Sequence, residues 1–158
     1  MLINNELNVP CPAGFHVMDE KERSKYKMTG KGEYVGLSNP DIHMMITVGV
    51  KKLNAFIKLL LKPKDFAKGM RNCIVKGNKP YGIKAEELKD LTLAGAPAKG
   101  FSYTYTVRDI AMTGRAYAVF TDNTVYYVYQ YVRTEFDEEF KDVFENFLKE
   151  LKIEGKQK

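Results

Sequence analysis

Cysteine and histidine are scarce: Cys11 and Cys73 are the two thiols, and His16 and His43 the two imidazoles. Two thiols are too few for a disulfide framework, and these are not spaced as a redox pair. Cys11 with His16 supplies fewer ligands than a zinc site needs, and the pair has no oriented third group to make a Cys-His nucleophile. No apolar run is long enough to span a bilayer. The start, Met1-Leu2-Ile3-Asn4-Asn5, lacks the basic-then-apolar pattern of a signal peptide. Cytoplasmic residence with reduced thiols is therefore the expectation, and a leader lost ahead of Met1 stays open. Gly30-Lys31-Gly32 has neither the spacing nor the strand-to-helix setting of a phosphate loop. Asp19, Glu20 and Glu22 sit on a polar stretch with nothing to desolvate them. With no acid–base pair, nucleophile or cofactor loop in view, we expect no enzyme, no cofactor and no metal.

What is present describes an ordinary globular chain. Its 158 residues are 44% hydrophobic and 28% charged, enough for one domain with a sizeable core. That domain is placed at residues 1–154, with 155–158 a disordered tail. The net charge of +5 is unevenly spread. Between Lys51 and Lys84 only Asp65 opposes Lys51, Lys52, Lys58, Lys62, Lys64, Lys68, Arg71, Lys76, Lys79 and Lys84. Near the end the sign reverses, with Glu135, Asp137, Glu138, Glu139, Asp142, Glu145 and Glu150 against Lys141 and Lys149. Such a dipole steers an acidic partner toward one side.

Periodicity then sets the elements. Phe101, Tyr103, Tyr105 and Val107 alternate with Ser102, Thr104, Thr106 and Arg108, the period of a strand. Arg115–Phe120 and Thr124–Val132 follow as strands around an Asp122-Asn123 turn. Phe136, Phe140, Val143, Phe144, Phe147 and Leu151 form a helical stripe. Upstream, strands are predicted at Glu6–Val9, Glu33–Leu37, Ile42–Val50 and toward the end of Ile83–Leu93, before a turn at Gly95-Ala96-Pro97. A short helix is predicted over Asp19–Lys27 with Asp19 as N-cap, and Thr29–Gly32 as a loop. Pro63 starts a helix over about residues 64–75 whose stripe is Phe66, Met70, Cys73 and Ile74. The fold class is α+β: a single-domain α/β/α sandwich with a six- to seven-stranded, mostly antiparallel sheet and helices on both faces.

The order of these elements resembles the Mog/PsbP-like fold family, including the bacterial DcrB-type domains. The residues that carry the resemblance are Leu93-Ala94-Gly95-Ala96-Pro97-Ala98, Gly114-Arg115-Ala116-Tyr117, Val125-Tyr126-Tyr127-Val128 and Phe140–Leu148. It implies a non-enzymatic protein that binds others, in a chaperone-like or protein-binding role.

Two surfaces are candidates for that binding. Tyr127, Tyr129 and Tyr131 share one strand face and Tyr103 and Tyr105 another, a pattern able to stack nucleic-acid bases. Packing beneath the phenylalanine-bearing closing helix is the favoured use, so no nucleic-acid partner is expected. The better candidate is Lys51–Leu61. Read as a helix, it sets Leu53, Phe56, Ile57, Leu60 and Leu61 against lysines, which suits an acidic protein partner or peripheral membrane contact. The blander use of Leu53, Phe56, Ile57 and Leu60 is to cap the sheet while the lysines reach water. Lys51, Lys52, Leu53, Phe56, Lys58 and Lys62 are the candidate partner-binding residues. An alternative function is carriage of a small apolar or lipid ligand between sheet and helix.

Overall fold

The computed structural model describes residues 1–26 and 33–154, so the predicted loop at 29–32 and the tail at 155–158 lie outside the described residues. Strands β1 (Leu2–Ile3) and β2 (Leu7–Asn8) form a hairpin through Asn4 and Asn5, whose positive φ angles of 55° and 53° asparagine tolerates. After β3 (His16–Val17) comes α1 (Glu20–Lys25), with Asp19 at its N-cap. The Asp19 carboxylate accepts from the Glu22 amide at 2.8 Å, and the Glu22 carboxylate accepts from the Asp19 amide at 3.2 Å. Strands β4 (Tyr34–Asn39) and β5 (Met44–Lys52) are joined by a single 3-10 turn over Pro40–Ile42. Next come α2 (Ala55–Leu60), α3 (Pro63–Gly77), β6 (Lys84–Ala85) and β7 (Lys89–Leu93). The long strands are β8 (Ala96–Val107), β9 (Ile110–Phe120) and β10 (Thr124–Arg133). Helices α4 (Thr134–Asp137) and α5 (Lys141–Glu150) and strand β11 (Lys152–Ile153) complete the described chain.

The main sheet runs β3-β4-β5-β10-β9-β8-β6, with β7 sharing the outer edge of β8, and its neighbours are all antiparallel. It has eight strands rather than six or seven. β3 and β6, of two residues each, are too short to show an alternation. A three-stranded sheet, β1-β2-β11, ties the two ends of the described chain together.

Strand register divides the core into two layers, as an α/β/α sandwich requires. Tyr126, Val128 and Val132 of β10 point to one side, with Ile46 and Val48 of β5, and there meet Phe144, Phe147 and Leu151. Val125, Tyr127 and Tyr129 point to the other, with Ala116 and Ala118 of β9 and Phe101 of β8, beneath Phe66, Ala67 and Met70 of α3. The tyrosine rows therefore lie under α3 and beside it, not under the closing helix. That helix packs instead on Tyr117, whose ring centroid is 6.2 Å from that of Phe144, and whose own ring lies across Gly100. A Cβ at Gly100 would stand 2.3 Å from Tyr117 Cδ1.

Several sequence expectations need correction in detail. The Phe136–Leu151 stripe is two helices, because the chain bends at Phe140. The bend follows from an anchor: Asp137 makes a bidentate pair with Arg115 of β9 at 2.6 and 2.9 Å, and Arg115 also donates to Gln130 of β10 at 2.8 Å. Gln130 is fully buried, and its amide lies 3.6 Å from Met44 Sδ. Cys73 is exposed rather than part of the α3 stripe, its place in the core taken by Ala67. The β7–β8 turn is Ala94-Gly95, both at positive φ, and Ala96 and Pro97 already belong to β8. Lys51 and Lys52 are strand residues paired with Val125 and Thr124, so the helix within Lys51–Leu61 covers only Ala55–Leu60.

Candidate functional site

Cys11 and His16 are engaged locally, His43 lies beside the Phe136 ring, and Cys73 is exposed. The Cys11 thiol donates to the Phe15 carbonyl at 3.5 Å, and His16 Nε2 stands 2.8 Å from Glu22 Oε1 at the surface. Among the described residues no group of three His, Cys, Asp or Glu is placed to hold a metal ion.

The tyrosine rows are packed. Tyr103 is buried and its ring lies over Gly114, where a Cβ would come within 2.2 Å of Tyr103 Cζ. Tyr103 stacks on Tyr105 at 5.8 Å, Tyr127 on Tyr129 at 6.3 Å, and Tyr129 on Tyr131 at 6.4 Å between centroids. Burial pushes the Tyr131 phenol up to about 12, with Tyr105 adding to the effect. It moves Tyr103, Tyr105, Tyr127 and Tyr129 in the same direction. Base stacking needs open ring faces, and these rings stack on one another instead.

The corner between β5 and α3 is different. Asn54 caps α2, its side-chain oxygen accepting from the Ile57 amide at 2.8 Å. With the helix so anchored, Leu53 and Ile57 turn inward against the α3-side core. A helix of six residues has one inward stripe, and its other apolar side chains stay largely exposed. Phe56 is 67% exposed, Leu59 82%, Leu60 61% and Leu61 42%. Four large apolar residues so close together in water are unusual for a monomeric surface, where scattered single ones are the norm.

Around them stand exposed lysines: Lys51 and Lys52 at the end of β5, Lys58 on α2, and Lys62, Lys64 and Lys68 at and after the start of α3. The Lys51 ammonium sits over the Phe66 ring at 5.4 Å, and Lys58 donates to Asn123 Oδ1 at 3.0 Å. Among the described residues none of the six forms an ion pair. Among the described residues, the carboxylates of Asp65 and Asp122 stand here. Asp65 accepts from the Lys62 amide at 2.7 Å, and Asp122 lines a small notch with Leu53, Lys58 and Leu61.

Of the six residues singled out in sequence, the structure places Lys51, Lys52, Phe56, Lys58 and Lys62 on this exposed corner and Leu53 half inside it. Leu59 was overlooked. The signal was the run Leu59-Leu60-Leu61, since three consecutive leucines point in three directions and a short helix cannot bury them all.

No protein-family profile and no curated protein matches this chain. Solved structures do. LpqN of Mycobacterium tuberculosis, described as involved in cell envelope biogenesis, superposes with a TM-score of 0.65 at 13% identity, over 94% of this chain and 83% of its own. The cyanobacterial PsbP protein CyanoP of Synechocystis superposes with a TM-score of 0.64 at 11% identity, over 94% of this chain and 93% of its own. The fold is PsbP-like. A protein of unknown function from Pseudomonas aeruginosa is also similar, with a TM-score of 0.56 at 9% identity over 94% and 83% of the two chains. At such identities the likeness concerns the fold, not the activity.

On this PsbP-like frame two features bear on a bound molecule. The layer between sheet and α5 is filled by Phe144, Phe147 and Leu151, each no more than 2% exposed. Beside it, an open groove of about 620 Å³ is lined by Leu91, Leu93, Leu148 and Leu151. No described helix is long and apolar enough to cross a membrane.

Proposed function

We propose that this protein is a non-enzymatic binding module, chaperone-like in kind, that engages an apolar, acidic partner through the corner formed by α2 and the lysines around it. The observation that carries this reading is the exposure of Phe56, Leu59, Leu60 and Leu61 among exposed lysines that form no ion pair among the described residues. Apolar tips supply binding energy by leaving water, and the cations select what they enter. The DcrB-type affiliation suggested by Leu93–Ala98 and the strands after it belongs to the same proposal. A ligand carrier is the second reading, and the groove lined by Leu91, Leu93, Leu148 and Leu151 is what favours it.

Two designed amphipathic peptides test the corner, one with glutamates and one with lysines on its polar face, read by fluorescence anisotropy. The acidic peptide is expected to bind in a salt-sensitive manner and the basic one not to. Leu59→Glu is expected to abolish binding. Equal binding of both peptides, or binding of the acidic one undiminished by Leu59→Glu, would sink the reading.

A further inference from the structure

We infer that the occupant of the α2 corner is the surface of an anionic lipid bilayer, into which Phe56, Leu59, Leu60 and Leu61 insert while the surrounding lysines meet the headgroup phosphates. This rests on the reading above and names its partner. Three features fit a bilayer, and the first separates it from a groove on another protein.

The first is shape. Phe56, Leu59 and Leu60 share the outer face of α2 at i, i+3 and i+4, and Leu61 follows on extended backbone at its C-cap, the four being 42–82% exposed, while Leu53 and Ile57 turn inward. A protein groove matches one stripe of a helix. A fluid acyl layer also accepts a patch that runs past the helix end onto extended chain, as this one does at Leu61, without a matched partner surface.

The second is the arrangement of charge. Lys52 precedes the apolar tip, Lys58 lies within it and Lys62 and Lys64 follow it, while Asp65 is engaged with the Lys62 amide and Asp122 lines the notch beside Lys58. When the tip enters the acyl boundary, long lysine side chains extend back to the phosphate level.

The third is orientation. The acidic residues of α4 and α5 belong to the opposite face of the main sheet from α3, since α5 packs on the Tyr126–Val128 side and α3 on the Val125–Tyr127 side. An anionic surface attracts the lysine side and repels the acidic side, so the molecule docks in one orientation.

The test is co-sedimentation of the full chain with vesicles of phosphatidylcholine alone and of phosphatidylcholine with phosphatidylglycerol. Wild-type protein is expected to sediment with the anionic vesicles and to be released by salt. Each lysine near an anionic surface strengthens binding about fivefold, so Lys52→Glu with Lys62→Glu is expected to weaken it by about 25-fold or more. Leu59→Glu is expected to abolish it, with a far-ultraviolet circular dichroism spectrum and urea midpoint like the wild type's to show the fold intact. Leu59→Phe, which keeps an apolar tip, is expected to retain binding. Sedimentation no better with anionic than with neutral vesicles would overturn the inference. If the acidic peptide still bound in that case, the corner would stand as a protein-binding surface and the bilayer would fall; if neither bound, the corner itself would fall.

Discussion

Leu59→Ala is the perturbation in which the proposed division of labour within α2 shows most plainly. Leu59 is 82% exposed, so less than a fifth of its surface is covered. Fully burying a leucine contributes about 1.5–3 kcal/mol, which leaves about 0.3–0.5 kcal/mol for this one to lose. Alanine also has the highest helix propensity, offsetting part of that loss. Phe56→Ala, at 67% exposure, is expected to cost somewhat more but still about 1 kcal/mol at most. Phe147 supplies the contrast: it is 1% exposed beneath the sheet, and its replacement by alanine is expected to cost about 3–5 kcal/mol. Urea unfolding followed by circular dichroism gives all three values on one scale. A loss of about 2 kcal/mol or more for Leu59→Ala would mean that the apolar tip is held by the fold, and the case for its being kept free to bind would collapse.

Two further outcomes are expected. Asp137→Ala removes both carboxylate contacts from Arg115, a pair whose side chains are 19% and 18% exposed, and is expected to cost about 2 kcal/mol in urea unfolding; an effect within about 0.5 kcal/mol would show that Gln130 alone suffices to hold Arg115. Burial pushes the Tyr126 phenol up to about 12, and donation to the Glu6 carboxylate at 2.6 Å adds to the shift. The fold thus favours the neutral phenol, so its contribution is whole below about pH 10 and is lost as pH rises toward about 12, a decline in urea midpoint that Tyr126→Phe is expected to lessen. A wild-type midpoint flat across that window would contradict the assignment.

The parts of the fold readable in sequence were those with long, strict periods. The alternation from Phe101 to Val107 and the run from Thr124 to Val132 identified two long strands, and Asp19 marked a helix start that the structure completes, with Glu22, as a capping box. The turn between β8 and β9 was hidden because Arg108 and Asp109 adopt positive φ, at 48° and 64°, where glycine or asparagine is the usual marker. The break at Phe140 was hidden for another reason. Helical spacing continues across it, and the pair of Asp137 with Arg115, which anchors the end of α4 on β9, is a tertiary contact that spacing does not reveal. Gln130, a polar residue between Tyr129 and Tyr131, is fully buried, and Arg115 and Met44 meet its amide. At the candidate site, composition located the lysine-rich apolar stretch. Which of its side chains face inward depends on where β5 ends and Asn54 caps α2, and neither is a property of the stretch alone.

The chain contains no tryptophan, so Phe56→Trp places a single indole at the tip of α2. Its emission, measured on adding anionic vesicles, is the most direct test of insertion. The expected result is a blue shift, with quenching by brominated acyl chains and reversal by salt. An emission maximum unmoved by anionic vesicles, or moved equally by neutral ones, would contradict docking of this corner on an anionic bilayer.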